Sequence, residues 1–105
     1  MSRTRLLLAE WLEGRSPPVP DAFRRRLLVP DGDVPVPPGV KDLLERAGAS
    51  LRDALGREGE RGGAFRLLAA DAWVTWACEE ALGAPDPEAE LLQVLEEVLR
   101  AAEVR

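Results

Sequence analysis

Histidine and tyrosine are absent from this chain of 105 residues, and lysine, cysteine and methionine each occur once. Each shortage removes a class of chemistry. With Cys78 alone, no disulfide forms within the chain, and the usual zinc sites of several cysteines and histidines cannot be assembled. A serine, threonine or cysteine nucleophile would lack the imidazole that normally activates it. Lysine chemistry has a single candidate, Lys41. No cofactor is expected, and the reading leans away from an enzyme.

Long apolar runs are missing too. The most apolar stretch, 72–78, is far shorter than the roughly 20 residues of a membrane span. At the start, Arg3 and Arg5 precede leucines, but Glu10 and Glu13 interrupt any signal-peptide core. This end reads as an amphipathic helix of a mature cytoplasmic protein.

Hydrophobic residues make up 46% of the chain, enough for a compact domain. At this length a single domain spanning 1–105 is expected. It would bury a little over about 60% of its extended surface, so dimerisation would usefully enlarge the core. The fold class expected is all-α, a small bundle of four or five helices with an ordered proline-rich connector.

The first helix covers 3–13, with Leu7, Leu8, Trp11 and Leu12 on one side, Ser2 as a candidate cap and Gly14 as its stop. A short second helix, 21–28, starts at Asp21 and offers Ala22, Phe23 and Leu27 as an apolar face. Seven of the nine prolines lie between 17 and 38, which marks a connector rather than a bundle core. Pro30, Asp31 and Gly32 signal a turn, and a small hairpin over 27–36 is conceivable there. A packed extended loop fits Pro35 and Pro37 better.

Val40, Leu43, Leu44, Ala47, Leu51 and Leu55 outline a third helical region. Gly48 weakens its middle by roughly 1 kcal/mol relative to alanine. Ser50 and Asp53 have capping-box spacing, so 40–55 reads equally as one helix or two. Four glycines and four charges over 56–63 read as a flexible surface loop. They do not make a phosphate loop, because no Lys-Ser/Thr pair follows.

A fourth helix over 64–82 is apolar around most of its circumference, as expected of a central element wrapped by helices one, three and five. Asp71, Thr75 and Glu79 form its narrow polar stripe. The fifth helix starts cleanly, with Asp86 as cap, Pro87 in the first helical position, and Glu88 and Glu90 at the positive end of the dipole. Leu91, Leu92, Leu95, Val98, Leu99 and Ala102 supply its stripe, and Glu96–Arg100 is a favourable i,i+4 pair. The short 83–86 link predicts antiparallel pairing of the last two helices. The expected core is Leu8, Trp11, Leu44, Leu68, Val74, Ala77, Cys78, Leu91, Leu95 and Leu99.

Three functional readings follow. The first is a non-catalytic protein–protein interaction module that self-associates, most simply as a homodimer, through Trp73, Trp76, Leu92 and Leu99. Tryptophan is a common interface anchor, and no catalytic set converges in the sequence. The second is nucleic-acid binding through Arg24, Arg25 and Arg26. It is disfavoured by the net charge of −5 and by nearby Asp21, Asp31 and Asp33.

The third reading is a small ligand-binding protein or enzyme using Asp71, Thr75 and Glu79. Asp71 and Glu79 stand two turns apart, roughly 12 Å along the axis, which is too far for one metal ion. Charge is also uneven. Residues 1–66 carry twelve basic and ten acidic side chains, whereas 67–105 carry two and nine. This asymmetry allows head-to-tail attraction or recognition of a basic partner.

Overall fold

The computed structural model describes residues 3–15, 18–28, 36–57 and 59–103. Among them are five α-helices and no strand: α1 (Arg3–Glu13), α2 (Asp21–Leu27), α3 (Val40–Leu55), α4 (Arg61–Leu82) and α5 (Pro87–Glu103). The fold is all-α, as the periodicity predicts. The hairpin considered over 27–36, the connector over 29–35 and the Ser2 cap lie outside the described residues.

The chain divides into two compact units, 1–38 and 39–105. In the first, α1 and α2 contribute Leu8, Leu12 and Leu27 as buried side chains. Arg24 joins the two helices, lying 3.3 Å from the Glu13 carboxylate of α1 and 2.5 Å from Asp21 within α2. Asp21 is thus the first helical residue, preceded by Pro20 as cap, and its carboxylate pairs along the helix instead of capping it. Trp11 is only half-buried, with the Arg15 guanidinium 4.1 Å from its ring centroid.

In the second unit, α3, α4 and α5 each pack against the other two. Helix α3 runs unbroken through Gly48. Its N-terminus is closed where the Gly39 N–H donates to the Asp42 carboxylate at 2.9 Å. Ser50 is no cap: it is buried in the helix at 1% exposure, and its Oγ accepts a hydrogen bond from Arg66 Nη2 of α4 at 2.9 Å. Arg66 Nε also lies 3.3 Å from Asp53, whose other oxygen holds Arg57 at 3.1 Å. This polar cluster ties α3 to the start of α4.

Helix α4 begins at Arg61, three residues before the predicted start, so Gly62 and Gly63 belong to it. The turn before it and its own first turn each need a glycine, for distinct reasons. Gly59 has φ +83°, a left-handed conformation that L side chains rarely adopt. Gly63 approaches the Arg57 carbonyl so closely that a Cβ there would sit 2.4 Å from that oxygen.

Asp86 caps α5 as expected, its carboxylate accepting from the Ala89 N–H at 3.2 Å. Near the other end Arg100 pairs with Glu97, one turn away, rather than with the predicted Glu96.

The core of this unit departs from the expected set. Leu44 and Ala77 are buried, and Val74, Cys78 and Leu91 are half-buried. Leu68, Leu95 and Leu99, predicted inside, are 55%, 54% and 53% exposed. Their places are taken by smaller residues, Ala69, Ala70, Ala81, Val94 and Ala101, together with Leu43, Trp73 and Trp76. Small residues meet where α3 contacts α5: a Cβ built at Gly48 would lie 3.7 Å from the Ala101 Cβ, an ordinary van der Waals separation, so the two helices touch there through backbone and Cβ atoms. Helix α4 is likewise apolar all round yet buried on one side only, with Leu67, Leu68 and Leu82 on the exposed side.

Candidate interaction surfaces

The two adjacent tryptophans meet each other inside the second unit. Trp73 and Trp76 are 1% and 7% exposed, with ring centroids 5.3 Å apart and planes at 80°, an edge-to-face arrangement. The Arg46 guanidinium lies 5.1 Å from the Trp73 centroid, within cation–π range. Little of either indole is left to offer a partner. Leu92 and Leu99, the other residues expected at an interface, are each more than half exposed.

The exposed face of α5 has a regular pattern. The inward residues Leu91, Val94, Val98 and Ala101 follow a 3-4-3 spacing. Leu92, Leu95, Leu99 and Ala102 repeat that spacing one residue later, rotated by about 100° around the axis. Helix α5 therefore has two adjoining apolar stripes, one used within the unit and one turned to solvent. The solvent stripe has the a/d pattern of a coiled-coil seam. Glu88, Glu96 and Glu103 are exposed beside it, and Arg100 falls on a different side of the helix.

Asp71, Thr75 and Glu79 are all exposed, interleaved with the exposed Leu67, Leu68 and Leu82 of α4. The Thr75 hydroxyl donates to the Asp71 main-chain carbonyl at 2.9 Å, a contact within the helix. No group of three or more histidine, cysteine, aspartate or glutamate side chains able to hold a metal ion occurs among the described residues. Of the three consecutive arginines, Arg24 is engaged by Glu13 and Asp21, while Arg25 and Arg26 are exposed. No helix of the described residues is long and apolar enough to cross a membrane.

A further concavity lies between α3 and α5, with a volume of about 410 Å³. Its floor is Leu44, Gly48 and Ala101, and its rim carries Lys41, Arg52 and Arg100 with Glu45 and Glu97. The sequence marks Lys41 as the one lysine and Arg100 as a candidate partner of Glu96, but does not bring them together with Arg52. Positions 41, 45, 48 and 52 share a face of α3 by helical spacing, which is a legible signal. Arg100 reaches the same cavity only through the folding of α5 onto α3.

No family model matches the chain, and no curated protein or solved structure matches it.

Proposed function

We propose that this protein is a non-catalytic helical interaction module that docks a second copy of itself through the outer stripe of α5. The observation that carries this reading is the exposed seam Leu92, Leu95, Leu99 and Ala102, spaced like a coiled-coil register on an already folded helix. The occupant that matches such a seam is another helix. A two-fold pairing of α5 with its copy makes the patch self-complementary.

The expected strength is modest. Covering the exposed half of a leucine contributes about 1 kcal/mol. Three leucines from each copy give a gross gain of roughly 6 kcal/mol, against an association cost of at least about 4 kcal/mol. The seam alone therefore leaves about 2 kcal/mol, a dissociation constant of roughly tens of millimolar, and dimerisation at micromolar concentration requires the exposed Leu67, Leu68 and Leu82 of α4 to be covered as well, which adds roughly another 6 kcal/mol.

Light scattering behind size exclusion tests the proposal. The wild type should shift from monomer to dimer mass as its concentration rises into the high micromolar range, and the double variant L95E/L99E should stay monomeric. A wild type that remains a monomer throughout removes the second copy as occupant.

The exposed Glu88, Glu96 and Glu103 beside the seam favour a second reading, in which the stripe takes a basic amphipathic helix of another protein. Under that reading, the wild type alone is monomeric. A lysine-rich amphipathic peptide then binds it with an affinity that falls with salt and is lost in L95E/L99E.

A further inference from the structure

The groove between α3 and α5 is distinct from the leucine seam and contains charges that the fold does not account for. Lys41, the only lysine of the chain, stands in the first turn of α3, where the helix dipole disfavours a cation. Its charge forms no ion pair among the described residues. Arg52 stands in the last turn of the same helix, where a cation is favoured, and it too has no ion-pair partner among the described residues.

Arg52 is exposed, but its side chain is folded back along the helix. A Cβ at Gly48 would lie 3.2 Å from its Nη1, so the side chain reaches back one turn and lies over the bare backbone at Gly48. Arg100 enters the same cavity from α5, a helix otherwise rich in glutamate. Glu97 engages Arg100 there, and Glu45 adds a second acid to the lining. Three cations thus face two carboxylates around a floor of Leu44, Gly48 and Ala101, in a protein whose net charge is −5.

We infer that this groove is a binding site for a small oxyanion-bearing molecule whose phosphate or carboxylate groups are held by Arg52 and Arg100, with Lys41 at the far end. Guanidinium groups suit both anions because their planar forks donate two parallel hydrogen bonds. Gly48 is seven residues from Lys41, about 10 Å along the helix. A compact ligand with two anionic groups engages both guanidinium groups better than a single phosphate, and Lys41 extends the positive face beyond it. A cavity of about 410 Å³ holds a molecule of this size, within the usual range of small-ligand sites. Binding draws Arg100 away from Glu97, so Glu97 acts as an internal competitor.

Calorimetric titration of the full chain with pyrophosphate and with citrate, at low ionic strength, tests the assignment and separates the phosphate from the carboxylate source. At least one probe should bind with a submillimolar constant. R52Q should weaken it by at least about tenfold, the worth of a charge-assisted hydrogen bond. R61Q, which removes an exposed cation outside the groove, should change it less than twofold. E97Q should tighten binding several-fold, whereas E88Q, an equal change in net charge on the other side of α5, should not.

Failure of both probes to bind overturns the proposal. So does equal weakening by R52Q and R61Q, or equal tightening by E97Q and E88Q, since either would show that net charge alone attracts the anion.

Discussion

Leucines at two positions of the second unit should respond very differently to truncation. Leu43 on α3 is 0% exposed, whereas Leu95 on α5 is 54% exposed. Leu43→Ala removes buried methyl groups and leaves a cavity, a loss of about 2–5 kcal/mol. Leu95→Ala leaves no cavity, and half of its side chain is already in water, so in the monomer the loss is about 1 kcal/mol at most. Thermal unfolding reads the contrast directly. At roughly 4 °C per kcal/mol for a chain of this size, Leu43→Ala should lower the melting temperature by about 8–20 °C, and Leu95→Ala by about 4 °C at most.

Protein concentration provides the second axis of this experiment. A partner that binds only the folded state adds about 2.7 kcal/mol when present at 100 times its dissociation constant. The wild-type melting temperature should therefore rise as concentration passes from low to high micromolar, and Leu95→Ala should flatten that rise while Leu43→Ala preserves it. If Leu95→Ala is as damaging as Leu43→Ala in dilute solution, Leu95 is a core residue and the assignment of the two stripes of α5 is wrong. If the wild type melts at one temperature over the whole range, the second copy is not what covers the seam.

Two further perturbations probe the junction of α3 and α4. Gly63→Ala places a Cβ 2.4 Å from the Arg57 carbonyl oxygen and should cost about 1–3 kcal/mol. Gly62→Ala next to it meets only the Arg57 Nη1 at 3.4 Å and should stabilise α4 by up to about 1 kcal/mol. Urea titration of the pair checks both signs. Arg66→Ala leaves the buried Ser50 hydroxyl without its donor and removes a partly buried partner of Asp53, a loss of about 1–3 kcal/mol. Asp53→Asn, where the carboxylate is 41% exposed, should cost no more than about 1 kcal/mol, and that cost should shrink in high salt. Equal costs for these two variants would contradict the burial of Ser50 and Arg66.

Much of the local structure follows from residue type alone. Asp86 and Pro87 announce the start of α5, because a carboxylate satisfies free N–H groups and proline lacks one. Helical spacing likewise marks α1 to α5 within a few residues. The competing signals at Gly48 and Ser50 could not be resolved locally. A capping-box spacing looks the same whether the serine ends one helix or, as here, is buried within one and receives a hydrogen bond from Arg66, sixteen residues away.

Which side of each helix faces inward was a tertiary decision. Helix α5 carries two apolar stripes with the same spacing, one residue out of step, and hydrophobicity alone favours the one richer in leucine. The fold uses Leu91, Val94, Val98 and Ala101, the stripe whose Ala101 lies opposite Gly48 of α3. Leu92, Leu95 and Leu99 are thereby left facing outward, and Arg100 is carried to the groove beside Lys41 and Arg52. The distances of closest approach between helices depend on all three at once, and no periodicity within a single helix encodes them.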